Sequence, residues 1–74
     1  MSVILWKITV GGLEMSLREA RGPNYTMVYR LVTDPIQVAL TYLGCDRSHA
    51  VHIFARKVEC HRMLVGDVHP DEVA

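Results

Sequence analysis

The chain has 74 residues, half of them hydrophobic and 22% charged, with eight Lys and Arg balanced by eight Asp and Glu. That length holds one domain (1–74) around one core, and the composition is globular rather than disordered or disulfide-dense. Zero formal net charge argues against whole-molecule capture by nucleic-acid phosphates and leaves room only for a local basic patch.

The opening "MSVILWKITV" is apolar, but it has no basic leader, Lys7 interrupts it, and it is too short to span a bilayer. No membrane contact and a cytoplasmic location are expected. Gly11-Gly12 then supplies the positive φ at both central positions that a two-residue hairpin turn needs. That turn fixes a register: Val10 opposite Leu13, Ile8 opposite Met15, Trp6 opposite Leu17 and Ile4 opposite Glu19. Seven of those eight residues are apolar, and opposed side chains share a face, so this face is expected to be the core. The other face pairs Thr9 with Glu14, Lys7 with Ser16, Leu5 with Arg18 and Val3 with Ala20.

"RGPN" at 21–24 marks a second turn, and "YTMVYRLVT" at 25–33 is rich in β-branched and aromatic residues, so it reads as a third strand. Tyr25, Met27, Tyr29 and Leu31 are expected to face the core, which requires an odd-length connection from the second strand. Thr26, Val28, Arg30 and Val32 take the opposite face.

Pro35 fits the first position of a helix capped by Thr33 or Asp34. Ile36, Ala39, Leu40 and Leu43 follow at i, i+3, i+4 and i+7, and Gly44 is placed to end that helix. "SHAVHIFARKVEC" fits two patterns. Val51, Ile53 and Ala55 alternate as in a strand, whereas Val51, Phe54 and Val58 suit a helix that Ser48 would cap. The β-branched and aromatic content favours a strand, which "HRMLVGDV" continues or follows with a short extra one. Residues 67–74 read as a frayed acidic tail. The expected fold class is α+β: an antiparallel three-stranded meander, one short packed helix, then a fourth strand (βββαβ).

Cys45, His49, His52, Cys60 and His61 are all zinc-ligand types. Their spacing argues against one ion. His52 and Cys60 lie about 26 Å apart on a strand and about 12 Å apart on a helix. No metal site is expected, and Cys45 and Cys60 are expected to stay free. A Cys–His nucleophile would need an orienting acid and an oxyanion loop, and no such pattern stands out, so no catalytic residue is assigned and no enzyme is expected. No cofactor motif is present either, since Gly11-Gly12 is followed by neither a helix nor a phosphate-loop pattern.

The polar hairpin face gathers Lys7, Arg18 and, across the sheet, Arg30, with Glu14 the acid among them. These four are the candidate partner-binding residues. Arg47, Arg56, Lys57 and Arg62 form a second basic group, offset by Asp46 and Glu59 and dispersed if 51–60 is a strand. The expected role is a small non-enzymatic protein that binds another protein through a sheet face or a free strand edge, the latter also giving a homodimer. By analogy of size and style, such motif-free α+β proteins recur among phage and mobile-element inhibitors, anti-CRISPR proteins included. The alternative is nucleic-acid binding through Lys7, Arg18, Arg30 and Arg56. A small Cys/His metal-binding protein is the third reading.

Overall fold

The diglycine turns the chain back as its composition demands: φ is +57° at Gly11 and +79° at Gly12. A computed structural model describes residues 2–37 and 42–66. Strands β1 (Ser2–Val10), β2 (Leu13–Arg21), β3 (Met27–Asp34) and β4 (Tyr42–Gly44) are followed by helix α1 (Arg47–Val65). The sheet has the order β1-β2-β3-β4 with every neighbour antiparallel, and α1 lies across one face. The class is α+β with a meander, but the helix follows all four strands, so the expected βββαβ order is corrected.

Near the turn the register is the expected one, with Val10, Thr9, Ile8, Lys7 and Trp6 opposite Leu13, Glu14, Met15, Ser16 and Leu17. Beyond Trp6 it shifts: Ile4 pairs with Arg18 and Val3 with Glu19, so Leu5 is an extra residue in a β-bulge. The expected pairs Ile4–Glu19, Leu5–Arg18 and Val3–Ala20 do not form. Because strand side chains alternate faces, one inserted residue exchanges the faces of all that precede it. Ile4 joins the face of Arg18, and Leu5 packs against the core instead.

The connection between β2 and β3 has five residues, 22–26, an odd number as required. It holds a 3₁₀ turn at Pro23–Tyr25. Thr26 Oγ1 donates to the Pro23 carbonyl at 2.6 Å, and the Gly22 N–H donates to the Thr26 carbonyl at 2.6 Å. Tyr25 therefore belongs to the turn, 85% exposed under the Arg21 guanidinium, and not to the core. Met27, Tyr29 and Leu31 do face inward.

The helix expected to start at Pro35 is also corrected. Thr33 and Asp34 end β3, Ile36 is exposed, and Tyr42–Gly44 is a strand paired with β3. Ala39 and Leu40 lie outside the described residues, as does the acidic segment 67–74. Tyr42 is exposed and Leu43 buried, a period-two pattern that suits a strand. The expected fourth strand at 51–60 is instead the middle of α1. Asp46 caps it, its Oδ1 accepting from the N–H groups of Ser48 (3.0 Å) and His49 (3.5 Å). Gly66 closes it at φ +74°, donating back to the carbonyls of Arg62 and Met63. Ala50, Phe54 and Val58 recur every fourth residue and are buried as one stripe. Propensity differences of at most about 0.7 kcal/mol per residue cannot hold Val51, Ile53 and Val58 in a strand against that burial.

The stripe meets Val10, Leu13, Met15, Leu17, Tyr29, Leu31 and Leu43 from the sheet. Phe54 is fully buried, worth about 1.5–3 kcal/mol, and its ring centroid lies 5.4 Å from that of Trp6. Trp6 thus sits on the helix side but at the sheet's edge, 45% exposed. Nineteen helical residues span about 28 Å, and the last, Val65, rests on Gly11. Among the described residues no helix is long and apolar enough to cross a membrane.

Candidate functional site

With α1 on one side, alternation directs a second set of side chains to the other. On this open face stand Lys7 and Ile4 of β1, Glu14, Ser16 and Arg18 of β2, Arg30, Val32 and Asp34 of β3, and Tyr42 of β4. All four sequence-assigned residues, Lys7, Glu14, Arg18 and Arg30, are therefore on one face, but they are not equivalent. Lys7 Nζ lies 3.3 Å from Glu14 Oε2, a partly exposed pair whose charges offset each other. Arg18 and Arg30 oppose one another directly across β2 and β3. Among the described residues neither has an ion pair.

Arg18 is held in place: its Nε donates to Ser16 Oγ at 3.2 Å, and Ser16 Oγ donates to the Val32 carbonyl at 3.3 Å. The two arginines line one depression of about 210 Å³ with Ser2, Ala20 and Val32. Ile4 is opposite Arg18 and Tyr42 opposite Arg30, so the pair is bracketed by an aliphatic and an aromatic side chain along one cross-sheet row. The Tyr42 hydroxyl shares a hydrogen bond with Cys45 Sγ at 3.2 Å, which raises the phenol's pKa above its ordinary value. Toward the hairpin end Glu14 opposes Asp34, an acidic pair about 13 Å from the arginines at 3.3 Å per residue.

Three members of this surface were not assigned from sequence. Ile4 was misplaced by the bulge, and Tyr42 and Asp34 by the helix expected around them. The bare apolar run "VILW" was the available signal for the first, since it does not alternate.

A second depression, about 330 Å³, runs along the outer flank of α1 and is lined by His49, His52, Ile53, Arg56, Lys57 and Cys60. It is the larger of the two, but its described walls come from one helix, whereas the sheet depression is built by three strands. The helix brings Arg56 and Lys57 to a common flank, Arg62 is paired with Glu59 at 3.5 Å, and Arg47 lies apart at the first turn. Cys45 and Cys60 are free and exposed. Among the described residues no three His, Cys, Asp or Glu side chains converge as a metal site would require.

The charge balance is uneven along the chain. All eight Lys and Arg lie in residues 1–66 with five of the acids, whereas Asp67, Asp71 and Glu72 fall in the last eight residues, which bring the chain to zero net charge. No protein-family model matches the chain, and no curated protein or solved structure matches it.

Proposed function

We propose that this is a small non-enzymatic binding protein whose open sheet face captures an acidic surface on a protein partner, with Arg18 and Arg30 as the contact centre. The opposed arginine pair carries this reading. Like charges directly opposite on neighbouring strands are destabilising, and an incoming carboxylate relieves both while forming charge-assisted hydrogen bonds. Half-exposed Ile4 and the aliphatic side chains of Val28 and Val32 provide apolar area around that centre. Within this reading the role is that of an inhibitor of the phage or mobile-element kind, anti-CRISPR-like, on the analogy of a small α+β chain with no catalytic constellation.

Nucleic acid is the second reading, favoured by the Arg18–Arg30 pair and by the placement of all eight Lys and Arg in residues 1–66. Two features weigh against it. Sheets that bind single strands stack bases on several aromatics, and the described open face offers Tyr42 alone. The Glu14–Asp34 pair would repel a phosphate backbone running on across the sheet.

Affinity capture from the source cells, with and without nuclease, tests both readings. A protein should be retained by the wild type after nuclease and lost with Arg18→Ser plus Arg30→Ser, while Lys7→Ser should change little because Lys7 is already matched by Glu14. Full retention by the folded double variant would remove this face from the site. Binding that disappears with nuclease and falls steeply with salt would establish the nucleic-acid reading instead.

A further inference from the structure

The long edge of the sheet is β1, nine residues of which only one side is paired among the described strands. Three of its six exposed side chains are large and apolar: Val3 is 56%, Ile4 46% and Trp6 45% exposed. Natural edges are blunted by charge, proline or bulges, and β1 has only Lys7 and the bulge at Leu5.

We propose that β1 pairs antiparallel with β1 of a second copy, about a two-fold axis passing between Leu5 and Trp6, joining two sheets into one of eight strands. The register follows from the bulge. In a hairpin closed by a two-residue turn, the residues flanking the turn exchange hydrogen bonds, and bonded pairs alternate with unbonded ones. Val10, Ile8 and Trp6 therefore bond inward to β2, and the backbone groups of Thr9 and Lys7 point out. The bulge resets the alternation, so Ile4, opposite Arg18, and Ser2, opposite Ala20, point out as well.

A two-fold at this position sets Ser2 against Thr9 of the second copy and Ile4 against its Lys7. All four of these residues point their backbone outward and their side chains to the open face. Val3 then meets Ile8 of the second copy, both on the helix side. Faces and hydrogen-bonding edges match from Ser2 to Thr9. A pairing centred on Lys7 would instead oppose two lysines, and one centred on Ile8 would leave Val3 and Ile4 uncovered. The half-exposed Trp6 rings flank the axis, where Leu5 of the second copy covers them. This contact adjoins the arginine surface through Ser2 and Ile4, and it uses their backbone edge while Arg18 and Arg30 stay uncovered on the open face.

The test uses the full chain with Cys45 and Cys60 replaced by Ser, since both are exposed. Val3→Cys and Ile8→Cys are made in separate chains distinguishable by mass. An unbonded antiparallel pair brings side chains closest, within reach of a disulfide. Mild oxidation of the mixture should give the mixed disulfide dimer, and neither variant alone should link, because neither residue faces its own copy. Sedimentation of the wild type should show a monomer–dimer equilibrium over about 1–100 µM, as a small interface gives. Lys7→Pro removes an outward N–H and should abolish the dimer while α1 persists by circular dichroism. Should that variant fail to fold, the cross-link still decides. A wild-type monomer throughout, equal linking by either variant alone, or growth beyond the dimer would overturn the proposal.

Discussion

Alanine at Gly11 and at Gly12 separates two effects that the hairpin turn combines. Both glycines have positive φ, +57° and +79°, and a side chain there costs about 1–2 kcal/mol. Part of that is offset, by about 0.4–1 kcal/mol, because alanine also restricts the unfolded chain. Gly12→Ala should therefore cost about 0–1.6 kcal/mol net and nothing for overlap, since a Cβ there meets nothing within 4 Å. At Gly11 the new Cβ would lie 3.0, 3.1 and 3.2 Å from Cγ2, Cβ and Cγ1 of Val65. Those atoms belong to a β-branched side chain stiff at χ1, so relief requires the helix end to shift. Overpacking costs about 1–3 kcal/mol, and the low end applies because Val65 is the last helical residue and partly exposed. The gap between the variants should be about 1 kcal/mol, or roughly 4–8 °C in Tm for a domain of this size. Thermal and urea unfolding followed by circular dichroism measure it. Val65→Ala removes both Cγ contacts and keeps the Cβ one, so it should recover part of that gap in the Gly11→Ala background and none in the Gly12→Ala one. Equal midpoints for the two glycine variants, or strict additivity with Val65→Ala, would refute the docking of α1 on the turn.

Asp46→Ala removes the acceptor for two N–H groups at the start of α1 and should cost about 1 kcal/mol, read as a lower urea midpoint. Asp46→Asn, which keeps the acceptor, should recover most of it. The Tyr29 hydroxyl donates to Glu19 Oε2 at 2.8 Å, and that bond, with burial second, raises the phenol's pKa above 10.0. Because the folded pKa lies above the unfolded one, this stabilisation is complete below pH 10.0 and drains as pH climbs through the raised value. Tyr29→Phe should flatten the alkaline limb of a stability profile and lower its neutral plateau. A limb of unchanged slope would show that other groups set it.

Legibility followed locality. The hairpin could be read because two independent signals agreed, a turn that demands positive φ and alternation that survives only in one register. Those two signals place Lys7, Glu14 and Arg18 on one face, and an odd-length connection to the third strand adds Arg30. The bulge at Leu5 could not be placed, since Val3, Ile4, Leu5 and Trp6 are equally suited to a strand and no glycine or polar residue marks the insertion. α1 was mistaken because Val51, Ile53 and Val58 favour strands locally, while its cap at Asp46 and its four-residue stripe gain their weight only once a sheet exists to bury Phe54. The opposite error occurred at Pro35, where good capping residues precede no helix among the described residues, because Leu43 is buried as part of β4.

The single inserted residue connects the two surfaces proposed for this protein. Were the intact strand to pair without the bulge, Ile4 would face α1 and Leu5 would stand beside Arg18, and β1 would alternate uniformly from Ser2 to Val10. With it, Ile4 completes the apolar bracket around the arginine pair, and Leu5 and Trp6 both oppose Leu17 on the helix side. The same shift turns the backbone of Ser2 and Ile4 outward in step with Lys7 and Thr9, which makes the strand complementary to itself about the bulge. Deleting Leu5 removes the bulge yet leaves Ile4 opposite Arg18, Val3 opposite Glu19 and Ser2 opposite Ala20, so partner capture and dimerisation should both survive, at the cost of the packing of Leu5 against the core. Substituting Arg18 and Arg30 should impair the first and leave the second intact.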